Sequence, residues 1–174
     1  MASTYRRKKD WNKCIEYEKK AYEIYSRLHF DTFIGEEAQN IGFCYFNLGE
    51  YRKAIPYFEE SINIHQNLKD KSKITDSLFN IALIYKRLQE YDRALEYFIR
   101  CIEIDRENNY KDNQANDYFE IGLIYKELKD IDNAFKNFQI SLKLFKEVND
   151  VKAQQKINKE IDEISRNLYR NDDL

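Results

Sequence analysis

The side chains that most often carry out chemistry in proteins are scarce and widely spaced in this chain. Its 174 residues include two histidines, His29 and His65, and three cysteines, Cys14, Cys44 and Cys101. Neither histidine has a cysteine or aspartate at the spacing of a metal-binding motif. The chain also has no glycine-rich phosphate loop and no nucleophile elbow. The pattern therefore predicts structural or surface histidines, no metal, no cofactor and no enzyme.

The cysteine usage and the N-terminus both predict a cytoplasmic location. Three cysteines far apart in sequence argue against a disulfide framework, and we expect reduced thiols. Residues 1–10 lack the apolar stretch of a signal peptide, and no apolar run approaches the roughly 18 residues that cross a bilayer. The sequence therefore predicts a cytoplasmic protein with no membrane partner.

The overall composition is typical of a helical protein of ordinary size. Lysine and arginine number 29 against 31 aspartates and glutamates, so the formal net charge is −2 and there is no basic excess to favour nucleic acid. Four glycines and one proline are too few for a protein with many tight turns. The composition predicts an all-α chain that does not bind nucleic acid.

The sequence repeats itself at a spacing of 40 residues. The residues that share this register are Ile41, Ile81 and Ile121; Gly42, Ala82 and Gly122; Tyr45, Tyr85 and Tyr125; Leu48, Leu88 and Leu128; Ala54, Ala94 and Ala134; Phe58, Phe98 and Phe138; and Ser61, Cys101 and Ser141. Each copy contains two segments of helical periodicity, separated by short polar joints such as "NLGEY" and "NLKDKSK". Gly42 and Ala54 indicate positions where the two helices of a pair approach closely, beside aromatic side chains.

This pattern resembles the tetratricopeptide repeat (TPR), although the usual unit is about 34 residues. The resemblance implies an all-α fold, an α-solenoid in which antiparallel helix pairs form a right-handed superhelix. It implies a single TPR domain over 1–174, divided into a partial repeat 5–30, full repeats 31–70, 71–110 and 111–150, and a capping helix 151–170. Gln89 and Lys129 depart from the family by replacing the glycine of the turn.

The N-terminal basic stretch Arg6, Arg7, Lys8 and Lys9 falls within the partial repeat, since Tyr5 takes the register of Tyr45. A solvated helix end explains these cations better than an arm for nucleic acid. The front of this first helix is missing, which predicts that the chain is the C-terminal part of a longer repeat protein.

In TPR proteins the first helix of each pair lines a concave groove, and the resemblance places a peptide or protein ligand there. The predicted groove residues are Asn40, Phe43, Asn47, Asp76, Phe79, Asn80, Leu83, Arg87, Asn116, Phe119, Glu120 and Leu123. Asn40 and Asn80 would hold a peptide by its main chain, and the phenylalanines would form side-chain pockets. The alternative is local hydrogen bonding for each asparagine and a core position for each phenylalanine. Glu120 stands where capture of a C-terminal carboxylate would need a cation.

Three functional hypotheses remain open. Repeats of this length resemble the C-terminal sensor domains of bacterial cytoplasmic regulators that respond to short peptides, in which the ligand shifts the repeat array between conformations. The second hypothesis is an adaptor that binds a folded partner or its helix. The third is a self-associating repeat, a homodimer formed through the surface around Trp11, Ile15 and Tyr17, whose covering helix is incomplete.

Overall fold

A computed structural model describes residues 2–171 of the chain, with side chains to residue 166, and contains helices but no strand over that range. The helices are α1 (Ala2–Arg7), α2 (Trp11–Leu28), α3 (Asp31–Leu48), α4 (Tyr51–Leu68), α5 (Lys71–Arg87), α6 (Tyr91–Glu107), α7 (Lys111–Glu127), α8 (Ile131–Glu147) and α9 (Val151–Asn171). The predicted all-α repeat of antiparallel helix pairs is confirmed. None of the helices described is long and apolar enough to cross a membrane.

The helices end at a residue in the left-handed backbone conformation, which recurs at every twentieth position. These residues are Lys9, His29, Gly49, Lys69, Gln89, Asn109, Lys129 and Asn149, with φ between 55° and 83°. Such a residue turns the chain so that the next amide bonds back to the helix, as Glu50 N does to Tyr45 O at 3.0 Å. The 40-residue repeat therefore consists of two helical segments of equal length.

Aspartates start several of the helices by capping the first turn. The side chain of Asp70 accepts a hydrogen bond from Lys73 N at 3.1 Å, and that of Asp130 accepts one from Asn133 N at 3.1 Å. These bonds satisfy amides that have no partner within the helix. The sharp turn and the cap together keep the joints two or three residues long.

The chain forms two compact units, residues 1–97 and residues 98–174. In the first unit α1 packs on α2, α2 on α3, α3 on α4 and α4 on α5. In the second unit α7 packs on α8, and α8 on α9.

In the first unit, small residues on one helix accommodate aromatic rings from its partner. A Cβ added to Gly42 of α3 would lie 3.1 Å from Cε1 of Phe58 on α4, and both residues are buried. Near the turn inside the same pair, Tyr45 and Tyr57 stack with ring centroids 5.6 Å apart. The prediction of close helix approach at Gly42 is confirmed.

In the second unit the same contact is tighter. A Cβ on Gly122 of α7 would lie 2.6 Å from Cε1 of Phe138 on α8. Phe138 belongs to a core cluster completed by Ile157 and Ile164 of α9, which are 1% and 3% exposed. A side chain at position 122 would therefore force the Phe138 ring to shift.

Candidate functional site

In the first unit, the first helices of two successive pairs lie side by side. α3 and α5 are in direct contact, and Lys73 Nζ lies 3.9 Å from Glu36 Oε1 across them. We define the first-helix face as the predicted site residues of these two helices, which are Asn40, Phe43, Asn47, Asp76, Phe79, Asn80, Leu83 and Arg87. Asn40 and Asn80 take equivalent register positions, and each is half-buried.

The asparagines of this face donate to acceptors on their own helix. Asn80 Nδ2 donates to Asp76 O at 2.7 Å, and Asn47 Nδ2 donates to Phe43 O at 2.8 Å. Asn40 Nδ2 instead donates to Glu37 Oε2 at 3.3 Å. An amide has two donor hydrogens and two acceptor lone pairs. Each of these bonds therefore orients the amide and leaves hydrogen-bonding capacity for a ligand.

Two carboxyl groups beside these amides have raised pKa values. Burial, followed by a hydrogen bond with Glu18, raises the pKa of Glu37 to about 7, while the Asn40 amide opposes the shift. Burial also raises the pKa of Asp76, opposed by the nearby Lys73. Glu37 was not among the residues predicted from sequence, although it lies one helical turn before Asn40.

At the α1 end of the face, Phe43 is partly covered by the N-terminal helices. The Trp11 ring meets the Phe43 ring edge-on with centroids 6.0 Å apart, and the Arg6 guanidinium lies 5.5 Å from the Phe43 centroid. Arg6 also donates to Glu18 at 2.8 Å. Phe79 and Leu83 are half-buried and Arg87 is exposed.

In the second unit, the predicted site residues lie on α7. Asn116 is exposed and its Nδ2 donates to Asp112 O at 2.9 Å. Phe119 is 4% exposed and packs against Phe138 with ring centroids 5.6 Å apart, so it is part of the core. Glu120 and Leu123 are half-buried.

The two histidines occupy different environments. His65 is fully buried against Gly35, and burial lowers its pKa. His29 is exposed at the left-handed end of α2.

The structure brings together a cluster that sequence reasoning missed. Cys14 of α2 and Cys44 of α3 are joined by a disulfide with their Cα atoms 6.4 Å apart. The ligand-type atoms of these cysteines and of Glu18 lie within 4.8 Å of one another. The expectation of reduced thiols at Cys14 and Cys44 is therefore wrong. The available signal was the register, because Cys14 takes the position of Ala54, where neighbouring helices meet.

Comparison with known proteins identifies the fold. No curated protein sequence matches the chain significantly. Aspartyl phosphate phosphatase F from Bacillus subtilis is similar in structure, with a TM-score of 0.85 and 23% identity over 91% of this chain. BtubC (BKLC) from P. vanneervenii has a TM-score of 0.73 and 16% identity over 97% of this chain, and 78% of its own length is covered. The apo form of RapI has a TM-score of 0.68 and 23% identity over 97% of this chain, and 67% of its own length is covered.

These likenesses, all below 25% identity, show a shared fold. The chain spans 42% of the length of the phosphatase F structure, so that protein is more than twice as long as the aligned part. The family model described as tetratricopeptide repeat matches residues 36–107 and 74–147. These two matches together cover more than half of the chain and include all three full repeats in whole or in part. The chain therefore belongs to the tetratricopeptide repeat family.

Proposed function

We propose that the chain is a non-catalytic module that binds a peptide or protein segment on the first-helix face. The observation that carries the proposal is the arrangement of Asn40 and Asn80, which take the same register on adjacent helices with their amides oriented by Glu37 and Asp76 O. Oriented amides can donate to and accept from an extended main chain. TPR folds are generally binding scaffolds, and this supports a role in recognition.

The half-buried apolar residues of the same face would supply affinity. Phe43 lies beside Asn40, and Phe79 and Leu83 lie beside Asn80 in sequence. Apolar contacts next to polar groups that fix orientation are the usual composition of a binding groove. We propose a separate contact surface in the second unit, formed by Asn116, Glu120 and Leu123. Phe119 contributes to that surface only by supporting α7 from the core.

We infer further that the ligand is a short peptide and that the chain is the C-terminal part of a longer bacterial cytoplasmic regulator. Support comes from the similarity to aspartyl phosphate phosphatase F and RapI, the first of which is much longer than this chain. The phosphatase activity named for that protein is not proposed for this chain. An adaptor that holds a larger partner is the alternative, supported by the same fold.

The test is affinity selection from a pool of random peptides of about five to ten residues, read by mass spectrometry. The wild-type chain should retain a defined set that Asn80→Ala loses. Asn63→Ala is the matched control, because Asn63 is exposed on α4 and is not part of the first-helix face. Equal retention by all three proteins would reject the site. Retention of folded proteins alone would favour the adaptor.

Self-association through the surface around Trp11 stays a separate proposal. In the structure Ile15 is 9% exposed, and it packs with Cys14, Trp11 and Tyr45, so less apolar surface remains there than the sequence suggests. Sedimentation velocity of wild-type and Trp11→Ala proteins tests it. A wild-type monomer would reject the homodimer.

A further inference from the structure

The cluster around Cys14 and Cys44 has a composition that permits reversible oxidation. Both sulfurs are fully buried between α2 and α3, with Cys14 Sγ 4.0 Å from Glu18 Oε1. Glu18 is itself 5% exposed and held by Arg6 Nη2 at 2.8 Å. A carboxylate next to a thiol accepts a hydrogen bond from the S–H group.

The sulfurs lie in a small core cluster. Among the described residues, the buried hydrophobic members of this cluster are Cys14, Ile15 and Cys44, with Tyr5, Trp11, Tyr45 and Leu48 partly buried around them. Segments with few buried contacts open locally at low free-energy cost. Solvent and small reagents therefore reach the sulfurs when this cluster opens.

We propose that Cys14 and Cys44 form a peroxide-responsive, reversible disulfide cross-link that controls how firmly α1 and α2 are held on α3. In the reduced chain, the Cys14 thiol loses its proton to solvent and the thiolate attacks a hydroperoxide oxygen. The O–O bond breaks, the leaving oxygen takes up a proton, and Cys14 becomes a sulfenic acid. The Cys44 thiol then attacks the Cys14 sulfur, which forms the S–S bond and releases water.

A dithiol reductant reverses the reaction by thiol–disulfide exchange and is itself oxidised to a disulfide. The closed loop between the two cysteines spans 30 residues in sequence. By the chain-entropy argument, a cross-link of this length makes opening of the linked segment rarer by on the order of 100-fold. Oxidation therefore fixes α2 against α3, and reduction lets α1 and α2 open.

A metal ion fits the cluster less well than a disulfide does. Glu18, the only oxygen ligand among the three groups, already carries an ion pair with Arg6 at 2.8 Å. The Arg6 guanidinium would stand beside an incoming cation and repel it. The disulfide proposal does not depend on the proposed binding of a ligand to the first-helix face.

The test uses the full chain, reduced with excess dithiothreitol or oxidised with hydrogen peroxide. Peptide mapping should show a 14–44 cross-link after peroxide, with a mass loss of two hydrogen atoms. Hydrogen exchange of α2 amides should be on the order of 100-fold faster in the reduced chain, while α4 amides keep their rate.

Each of two variants introduces the residue found at the equivalent position of other repeats, so both are expected to fold. Cys14→Ala matches Ala54, Ala94 and Ala134, and should exchange at the reduced rate with or without peroxide. Cys101→Ser matches Ser61 and Ser141 and should respond as wild type. Unchanged thiol content after peroxide, or equal α2 exchange in both states, would overturn the proposal. Protection of both thiols from alkylation by one equivalent of Zn²⁺ would also overturn it, in favour of a metal site.

Discussion

The carboxyl group of Asp117 on α7 lies close enough to that of Asp105 on α6 for the two to interact, and each residue is 1% exposed. Burial, then the charge of Asp105, then that of Glu120 raises the pKa of Asp117 to about 9. Two buried carboxylates cannot both ionise at low cost, so one is held protonated. The second unit therefore takes up a proton on folding at neutral pH.

This proton uptake predicts a stability that falls as pH rises. The folded pKa of Asp117, about 9, lies above the ordinary aspartate value of 3.8, so the folded state binds more protons than the unfolded state between those pH values. The stabilising protonation is complete below about pH 4 and is lost as pH rises through about 9. Asp117→Asn should remove this dependence and raise the stability at pH 8 by on the order of 1–3 kcal/mol.

Urea unfolding at pH 5, 7 and 9 measures the effect. Asp162→Asn is the matched control, since Asp162 is exposed on α9, and it should keep the wild-type slope. A wild-type chain whose stability is flat over this range would contradict the assignment of a buried proton to Asp117.

The contact between Gly122 and Phe138 predicts a steric defect. A Cβ at position 122 would lie 2.6 Å from the Phe138 ring, whereas at Gly42 the corresponding distance to Phe58 is 3.1 Å. Alanine is favoured over glycine in a helix by about 1 kcal/mol, but forcing an atom into a packed core costs about 1–3 kcal/mol. Gly122→Ala should therefore destabilise the chain clearly, and Gly42→Ala should have a smaller effect.

Thermal unfolding of the two variants compares these effects directly. Adding Phe138→Leu to Gly122→Ala should recover part of the loss, because leucine leaves room for the new methyl group. If Gly122→Ala is as stable as wild type, the helices do not approach as closely as the structure shows.

The left-handed residue at each helix end predicts a stabilising substitution. Lys129 adopts φ of 61° at the end of α7, a conformation that glycine adopts without steric cost and other residues do not. Lys129→Gly should stabilise the second unit by about 0.5–1 kcal/mol, after allowing for the greater freedom of glycine in the unfolded chain. Lys136→Gly, in the interior of α8 and exposed, should instead destabilise it by about 1 kcal/mol. Chemical denaturation of both proteins provides the measurement.

The repeat register predicted the main core well. Phe58, Phe98 and Phe138 are all fully buried, and Ile41, Ile81 and Ile121 are at most 6% exposed. These positions carry the same residue type in every copy, so one helical period and one spacing were enough to assign them. The close approach of paired helices at small residues could be predicted for the same reason.

The positions that sequence reasoning missed are those where the copies differ. The register position of Asp105 holds His65 in the preceding repeat and Phe145 in the next, and all three are buried. An aspartate taken alone suggests solvent exposure. The Cys14–Cys44 contact was missed similarly, because a separation of 30 residues carries no information about which helices meet. Phe119 was placed on the groove by the resemblance, but its ring turns into the contact with Phe138.

The carboxyl pair Glu18 and Glu37 predicts a second pH effect, in the first unit. Glu37 is faced by Glu18 of α2 and by Glu36 and Asn40 of α3. Burial, followed by the hydrogen bond with Glu18, raises the pKa of Glu37 from 4.5 to about 7. The folded state thus holds a proton that the unfolded state has lost. Stability contributed by this group is present below about pH 4.5 and is lost as pH rises through about 7.

Glu37→Gln should flatten the pH dependence of the first unit between pH 5 and 8, because glutamine keeps a hydrogen bond to Glu18 without titrating. Glu59→Gln, at an exposed position on α4, should leave it unchanged. Hydrogen exchange of α3 amides at pH 5, 6.5 and 8, corrected for intrinsic rates, separates this effect from that of Asp117 in the second unit. A decline in α3 protection that is equal in wild-type and Glu37→Gln proteins would show that the proton is bound elsewhere.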